Sequence, residues 1–386
     1  MLACEISCKR LAEMATTASR RIPARPTVPV LAGTLVEVAD TLGDGMLMCS
    51  SFDWDVSITA SHVVTGEIRP GRALVSGRLF EALVKTLPPT KTARLEQTDS
   101  DLTIECGTIR LTLPTMTIDD YPTLPMQGNP LGVVDGKAFA TFVRRCCVAV
   151  DVAGVTAVPA LSGLKLHFRD TTIGATGSDR YRGVVAALPW QTSLGQHEDV
   201  PIDLALVVPG AMLLDAVHET GSGEVRITAG DGTIGIHAAG FSTVGRLLEL
   251  DKFPKSLETL APPRVDKPLL FDVAEMTAAL KRTMLVIDGG KTQVFPVRLE
   301  FADAACVISS GQSGSEEIRG RTVTTIDATT PDPIKVMVNG RYLVEGLAAL
   351  GTDTAEMSVN PENPRTPFLL TAPGDTDYRQ FVMPVR

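Results

Sequence analysis

The stretch Val75-Ser76-Gly77-Arg78-Leu79-Phe80-Glu81-Ala82-Leu83 has two counterparts further along the chain. They are Val208-Pro209-Gly210-Ala211-Met212-Leu213-Leu214-Asp215-Ala216 and Val338-Asn339-Gly340-Arg341-Tyr342-Leu343-Val344-Glu345-Gly346. Each reads as a strand ending in Val, a short link through Gly, and an amphipathic helix with an acid at a similar place. The glycines at 77, 210 and 340 lie 133 and 130 positions apart.

Two further families of segments keep the same step. First helices are expected near Cys8–Ser19, Asp135–Val148 and Asp272–Leu285, with Asp135 and Asp272 as N-caps. A strand is expected after each, at Pro29–Val36, Pro159–Leu166 and Phe295–Phe301. Leu164, Leu166 and Phe168 alternate, as do Val297, Leu299 and Phe301, which marks half-buried antiparallel strands. Each third therefore holds two helices and about eight short strands: an α+β fold in triplicate. Prolines at 122, 125 and 130, and again at 262, 263 and 268, mark the junctions. The domains so divided are 1–129, 130–257 and 258–386.

Composition narrows the function. The 386 residues are 44% hydrophobic and 21% charged, which is globular, but only 5% aromatic, so aliphatic side chains must build the cores. Charged residues break the N-terminal segment and no run nears the roughly 18 apolar residues of a membrane helix, so a cytoplasmic protein is expected. Seven cysteines in no framework are expected to be reduced thiols, and five scattered histidines give no metal site and no cofactor. No catalytic constellation is present: Asp53 and Asp55 read as solvated strand residues, Asp119-Asp120 as a turn, and Asp288-Gly289-Gly290-Lys291 as a hairpin turn. The net charge of −9 argues against a protein that grips nucleic acid by affinity alone.

Short motifs along the whole chain then point one way. Arg25-Pro26-Thr27-Val28-Pro29-Val30-Leu31, Ser51-Phe52-Asp53-Trp54-Asp55-Val56, Ser178-Asp179-Arg180-Tyr181-Arg182, Lys252-Phe253-Pro254 and Phe381-Val382-Met383-Pro384-Val385-Arg386 occur in that order. Together they resemble the bacterial DNA polymerase III beta subunit, the DNA sliding clamp family. The resemblance implies three DNA-clamp domains per chain, helices inside and antiparallel sheets outside. It also implies a head-to-tail homodimer, a six-domain ring around double-stranded DNA without sequence specificity, and no enzymatic activity.

A ring holds DNA by topology, so global acidity is tolerable if the DNA-facing elements carry positive charge. Basic residues do gather on the helices, and Arg10, Lys137, Arg144, Arg145 and Lys281 are candidates for phosphate contact, while Arg25 and Arg78 match family positions that the resemblance implies touch DNA. Pro159 and Ala160 stand where the family often has an aromatic pair. The family also implies a hydrophobic groove that takes short peptides of the polymerase III alpha subunit, the clamp loader, other polymerases and repair proteins. The matching positions from domain two are Leu161, Ser178, Arg180, Tyr181, Arg182, Gly183 and Pro254. Domain three adds Thr259, Asn339, Tyr342, Phe381, Met383, Pro384, Val385 and Arg386. Arg and Asn side chains among them fall to its rim, and Gly183, in place of a large apolar residue, is expected to widen the groove or weaken it. Arg110, Leu111 and Leu113 are expected to meet Glu316 and Glu317 of a second copy. The competing readings are a paralogous clamp with an altered groove and an unrecognised three-domain enzyme.

Overall fold

The computed structural model describes residues 1–41, 44–152, 157–193, 203–255, 257, 261–288, 294–311, 317–318, 320–330 and 333–385. Among them are six α-helices: α1 (Cys8–Ser19), α2 (Gly77–Val84), α3 (Gly136–Cys147), α4 (Gly210–Val217), α5 (Val273–Met284) and α6 (Gly340–Leu350). The first helix of each third starts at a side-chain cap. Ser7 Oγ accepts from Arg10 N, Asp135 Oδ1 from Ala138 N at 2.9 Å, and Asp272 Oδ1 from Glu275 N at 2.8 Å. Each bond satisfies an otherwise orphaned N–H and contributes about 1 kcal/mol. The second helices start at the repeated glycine. A β-carbon on Gly77 would lie 2.2 Å from Ile22 Cδ1 and 2.4 Å from Thr34 Oγ1, so the tight passage from strand to helix excludes a side chain there.

Two expected strand starts need correction. Pro29–Ala32 and Pro159–Ser162 form short 3-10 turns, and the strands begin at Gly33 and Gly163. Proline has no N–H to give a ladder, and its fixed φ suits the first position of a helical turn.

The chain forms two compact units. Among the described residues, the first takes Met1–Ala140, 191–193 and Asp215–Leu247, and the second takes Thr141–Trp190, 203–214 and the described part of Leu248–Arg386. Among the described residues, the first unit is built on an antiparallel sheet of fourteen strands, and the second on one of twelve with a separate two-stranded sheet. In the first sheet, Val56–Val63 of the N-terminal third pairs with Phe241–Arg246 of the middle third, from Ala60↔Phe241 to Val56↔Gly245. In the second, Arg182–Pro189 of the middle third pairs with Tyr378–Val382 of the last, from Arg182↔Val382 to Ala186↔Tyr378. These strands hold equal places in the repeat, so the same five-pair seam is made twice. The middle third gives one of its sheets to each unit, which is why three repeats yield two units.

Within each third, the tail of the last strand returns to the strand before the second helix. Leu74 and Val75 pair with Met116 and Thr115, Val207 bridges Leu248, and Val385 N donates to Met337 O at 2.8 Å. The core of the first third is aliphatic, as the composition requires. Leu11, Leu47, Val75, Leu95 and Ile104 share one cluster with Phe80, the one aromatic among the described residues of that cluster. Complete burial of such a ring contributes roughly 1.5–3 kcal/mol.

Candidate partner groove and DNA-facing residues

The groove candidates are organised by one turn, between the strands Thr172–Ser178 and Arg182–Pro189. Asp179 Oδ1 accepts from Tyr181 N and Arg182 N, both at 3.0 Å, and its Oδ2 accepts from Arg182 Nε at 2.9 Å. Ser178 Oγ donates to Arg182 O at 2.8 Å and accepts from Arg180 N at 3.0 Å. These bonds hold Arg180 at φ +80°, a left-handed conformation that costs a non-glycine residue about 1 kcal/mol or more. The result is directional: Arg180 and Tyr181 are exposed, and Arg182 is buried. The first third repeats the device. Asp53 Oδ1 accepts from Asp55 N at 3.1 Å and Val56 N at 2.8 Å, and Trp54 sits at φ +81°. Asp53 is thus a turn anchor and not a solvated strand residue.

Arg182 reaches across the seam to α6. Its Nη1 lies 2.7 Å from Glu345 Oε2, and its guanidinium lies 4.5 Å from the centre of the Tyr342 ring. Tyr181 stacks on the same ring at 6.1 Å, and Arg341 Nε donates to Glu345 Oε1 at 2.8 Å. Burial works against the charge on Glu345, yet Arg341 and Arg182 outweigh it and hold the carboxyl below its usual range. Two of the groove candidates are therefore engaged within the chain. Arg182 is consumed by Asp179 and Glu345. Asn339 is buried, its Oδ1 accepting from Arg341 N to cap α6 and from Phe295 N, both at 3.2 Å.

The apolar floor forms beside this turn. Phe381 packs with Ala160, Val207, Phe253 and Leu257, edged by Val185 and Leu248. Leu161 is buried, while Pro254, Tyr342, Met383, Pro384 and Val385 are half-buried. Met383 N donates to Tyr181 O at 2.7 Å, so the tail is docked through its backbone. Gly183 does not widen the floor, because the Phe381 ring covers it. Thr259 and Arg386 lie outside the described residues. Sequence reasoning missed Asp179 and Glu345 as the charges that fix the turn, and Leu257 in the floor. The acid repeated in each second helix was the available signal for Glu345.

Of the DNA candidates, Arg25, Lys137, Arg144 and Lys281 are exposed. Arg25 lines a surface cavity of about 450 Å³ with Leu31 and Trp54. Arg10 is exposed and paired with Glu13 at 2.7 Å, and Arg78 donates to Ile22 O at 3.2 Å. Arg145 must be corrected. It pairs with Asp375 at 2.5 Å, lies 4.0 Å over the Tyr378 ring, and its carbonyl accepts from Tyr378 Oη at 2.9 Å. Its charge is spent inside the protein, where it outweighs burial and holds the Asp375 carboxyl below its usual range.

At the expected dimer edge, Arg110 is exposed and 3.5 Å from Glu105, and Leu111 packs partly against the core. Leu113 is fully buried in that core, so its side chain is turned away from the expected neighbour. Among the described residues, the strand Ile109–Met116 pairs from Ile109 to Pro114 with Asp101–Cys106 on one side, but on the other only Thr115 and Met116 are paired. Glu317 lies in the short strand Glu317–Ile318, with its side chain outside the described residues, as is Glu316. No group of His, Cys, Asp or Glu among the described residues is placed to hold a metal ion, and no described helix is long and apolar enough to cross a membrane.

Comparison with known proteins gives the same reading. Residues 2–125 match the family model of the DNA polymerase III beta subunit N-terminal domain, and residues 258–386 that of its C-terminal domain. The beta sliding clamp of Streptomyces coelicolor is 32% identical, and the beta sliding clamp homolog GriR of Streptomyces muensis is 29% identical, with 97% of each chain covered in both cases. The fold is that of a Pseudomonas aeruginosa DNA polymerase sliding clamp, at a TM-score of 0.85 and 19% identity over the whole of both chains. A clamp of that organism solved with griselimycin bound superposes at a TM-score of 0.86 and 20% identity, covering 100% of this chain and 99% of the other. The chain belongs to the bacterial DNA polymerase III beta subunit family, the sliding clamps, and is a processivity factor of DNA replication and not an enzyme.

Proposed function

We propose that two copies of this chain, each of three domains (1–129, 130–257 and 258–386), close head to tail into a cytoplasmic ring around duplex DNA. The observation that carries the reading is the twice-made seam. Val56–Val63 takes Phe241–Arg246 as its neighbour, and Arg182–Pro189 takes Tyr378–Val382. The equivalent of those incoming strands in the first third is Ile109–Met116, whose outer edge is unpaired from 109 to 113 among the described residues. A third seam needs a second copy, whose last third, near Glu316 and Glu317, is the expected neighbour. A two-fold closure of this kind would cover that open edge in both copies. The exposed Lys137, Arg144, Lys281 and Arg25 then supply phosphate contacts without reading sequence.

The groove around Phe381, Tyr342 and Met383 is the docking place for short apolar peptides of the polymerase III alpha subunit, the clamp loader and other partners. Half-buried Met and Tyr side chains next to an exposed Arg180 suit that task. A second reading, a paralogous clamp with an altered groove, draws on the Phe381 ring lying over Gly183. Sedimentation equilibrium tests the ring: a dimer of the 41.0 kDa chain is expected, and a monomer at micromolar concentration overturns it.

A further inference from the structure

The apolar floor of the groove is filled by the chain itself. Gly183 and Phe381 face each other across the seam. The ring leans so far over the glycine that a β-carbon at 183 would lie 2.1 Å from Cζ, 2.7 Å from Cε2 and 2.8 Å from Cε1 of Phe381. Alanine, the smallest side-chain-bearing residue, is already too large for this ring position. Phe381 is 3% exposed and shares its cluster with Ala160, another small residue, and with Phe253 and Leu257. Little bulk at 160 and none at 183 complement one large side chain at 381. The backbone on either side is pinned, by the Gly183↔Phe381 pair and by Met383 N donating to Tyr181 O at 2.7 Å. The ring can leave its place only by side-chain rotation, not by sliding of the strand.

We propose that Phe381 sets the specificity of the partner groove: its ring fills the space that a partner's large buried anchor would take, so the groove favours peptides with a small apolar anchor over those with Phe. The proposal rests on the groove reading above. Its physical basis is that a docked peptide draws most of its affinity from a few buried anchors. An anchor the size of Phe must first turn out a packed ring and expose its apolar surface. A small anchor can lie against the ring and leave it in place.

The test uses the full-length chain and two fluorescein-labelled hexapeptides, identical except for Phe or Ala at the last apolar anchor. Fluorescence anisotropy gives both affinities for the wild type, Phe381→Val and Phe381→Leu, the last being a milder change should the valine variant fold poorly. The expected result is a preference for the Phe peptide over the Ala peptide that rises at least about ten-fold from wild type to Phe381→Val, with Phe381→Leu moving the same way. Binding of both peptides with an unchanged ratio in the variants, with or without a lower melting temperature, overturns the proposal and leaves the groove reading intact. Absence of binding to the wild type and to both variants overturns the groove reading and the proposal with it.

Discussion

Replacing Arg182 with alanine removes the group that ties the middle third to the last. It deletes the 2.9 Å contact to Asp179, the 2.7 Å contact to Glu345 and the stack on Tyr342 at 4.5 Å. Breaking a buried ion pair by removing one partner costs roughly 3–5 kcal/mol. The two acids do not share that cost equally. The Asp179 side chain is 13% exposed, so its charge is left in poor solvent. Glu345 is 34% exposed and keeps Arg341 at 2.8 Å, so solvent and a second cation screen it. We therefore expect the low end, about 3 kcal/mol, which at roughly 2 °C per kcal/mol lowers the transition of this unit by about 6 °C. Calorimetry near neutral pH reads the shift, and the Arg182→Ala/Glu345→Ala cycle reads the coupling, expected at about 1 kcal/mol or more. The sign with pH also follows. Because the folded Glu345 carboxyl is held below its ordinary 4.5, its contribution is present above that value and is lost as the pH falls through the folded value. Glu345→Gln should remove that acid-side loss. A calorimetric shift below about 1 °C for Arg182→Ala, with no coupling, would refute the reasoning.

The remaining predictions follow from other sites. Thr115 N donates to Ser100 O within the sheet, so by the two-residue period Thr112 N points to the open edge; Thr112→Pro should abolish the dimer in sedimentation while leaving the folded spectrum intact. Arg145→Ala should lower the melting temperature, through loss of Asp375 and the Tyr378 stack, and leave retention on circular DNA unchanged, whereas Lys137→Ala/Arg144→Ala should weaken salt-sensitive DNA contact without a thermal effect. His237 is buried between Thr228 Oγ1 at 3.0 Å and Ser242 Oγ at 2.9 Å, and burial, with Arg226 second, pushes its pKa down to about 4. The unfolded imidazole takes its proton near 6.5, so stability should fall between pH 6.5 and about 4; His237→Gln should flatten that slope in pH-dependent melting.

Much of this architecture is legible in the sequence because the repeat is carried by backbone constraints. The glycine at 77, 210 and 340 marks a passage where a β-carbon would crowd its neighbours, and Asp135 and Asp272 cap helices through local hydrogen bonds. Local causes leave local signatures. What the sequence conceals is set by partners far along the chain. Arg145 reads as one more basic residue on a helix free of acids, until Asp375, 230 positions away, takes its charge. Leu113 is expected at the edge that meets a second copy, but its side chain is buried in the core. Gly183 reads as a gap until the ring of Phe381 is seen to fill it. The two 3-10 turns at Pro29 and Pro159 are a subtler case, since an apolar run after proline fits a strand or a turn equally well.

The central claim is that this chain holds DNA by encirclement, and retention on circular against linearised plasmid tests it most directly. The protein is loaded with a matched clamp loader and ATP, and bound and free fractions are separated by gel filtration at moderate salt. Encirclement predicts that the protein stays on the closed circle and is lost once the plasmid is cut, because a net charge of −9 gives little affinity to hold it on a free end. Equal retention on both forms would contradict the account, as would no retention on the circle with a loader shown to be active on another clamp.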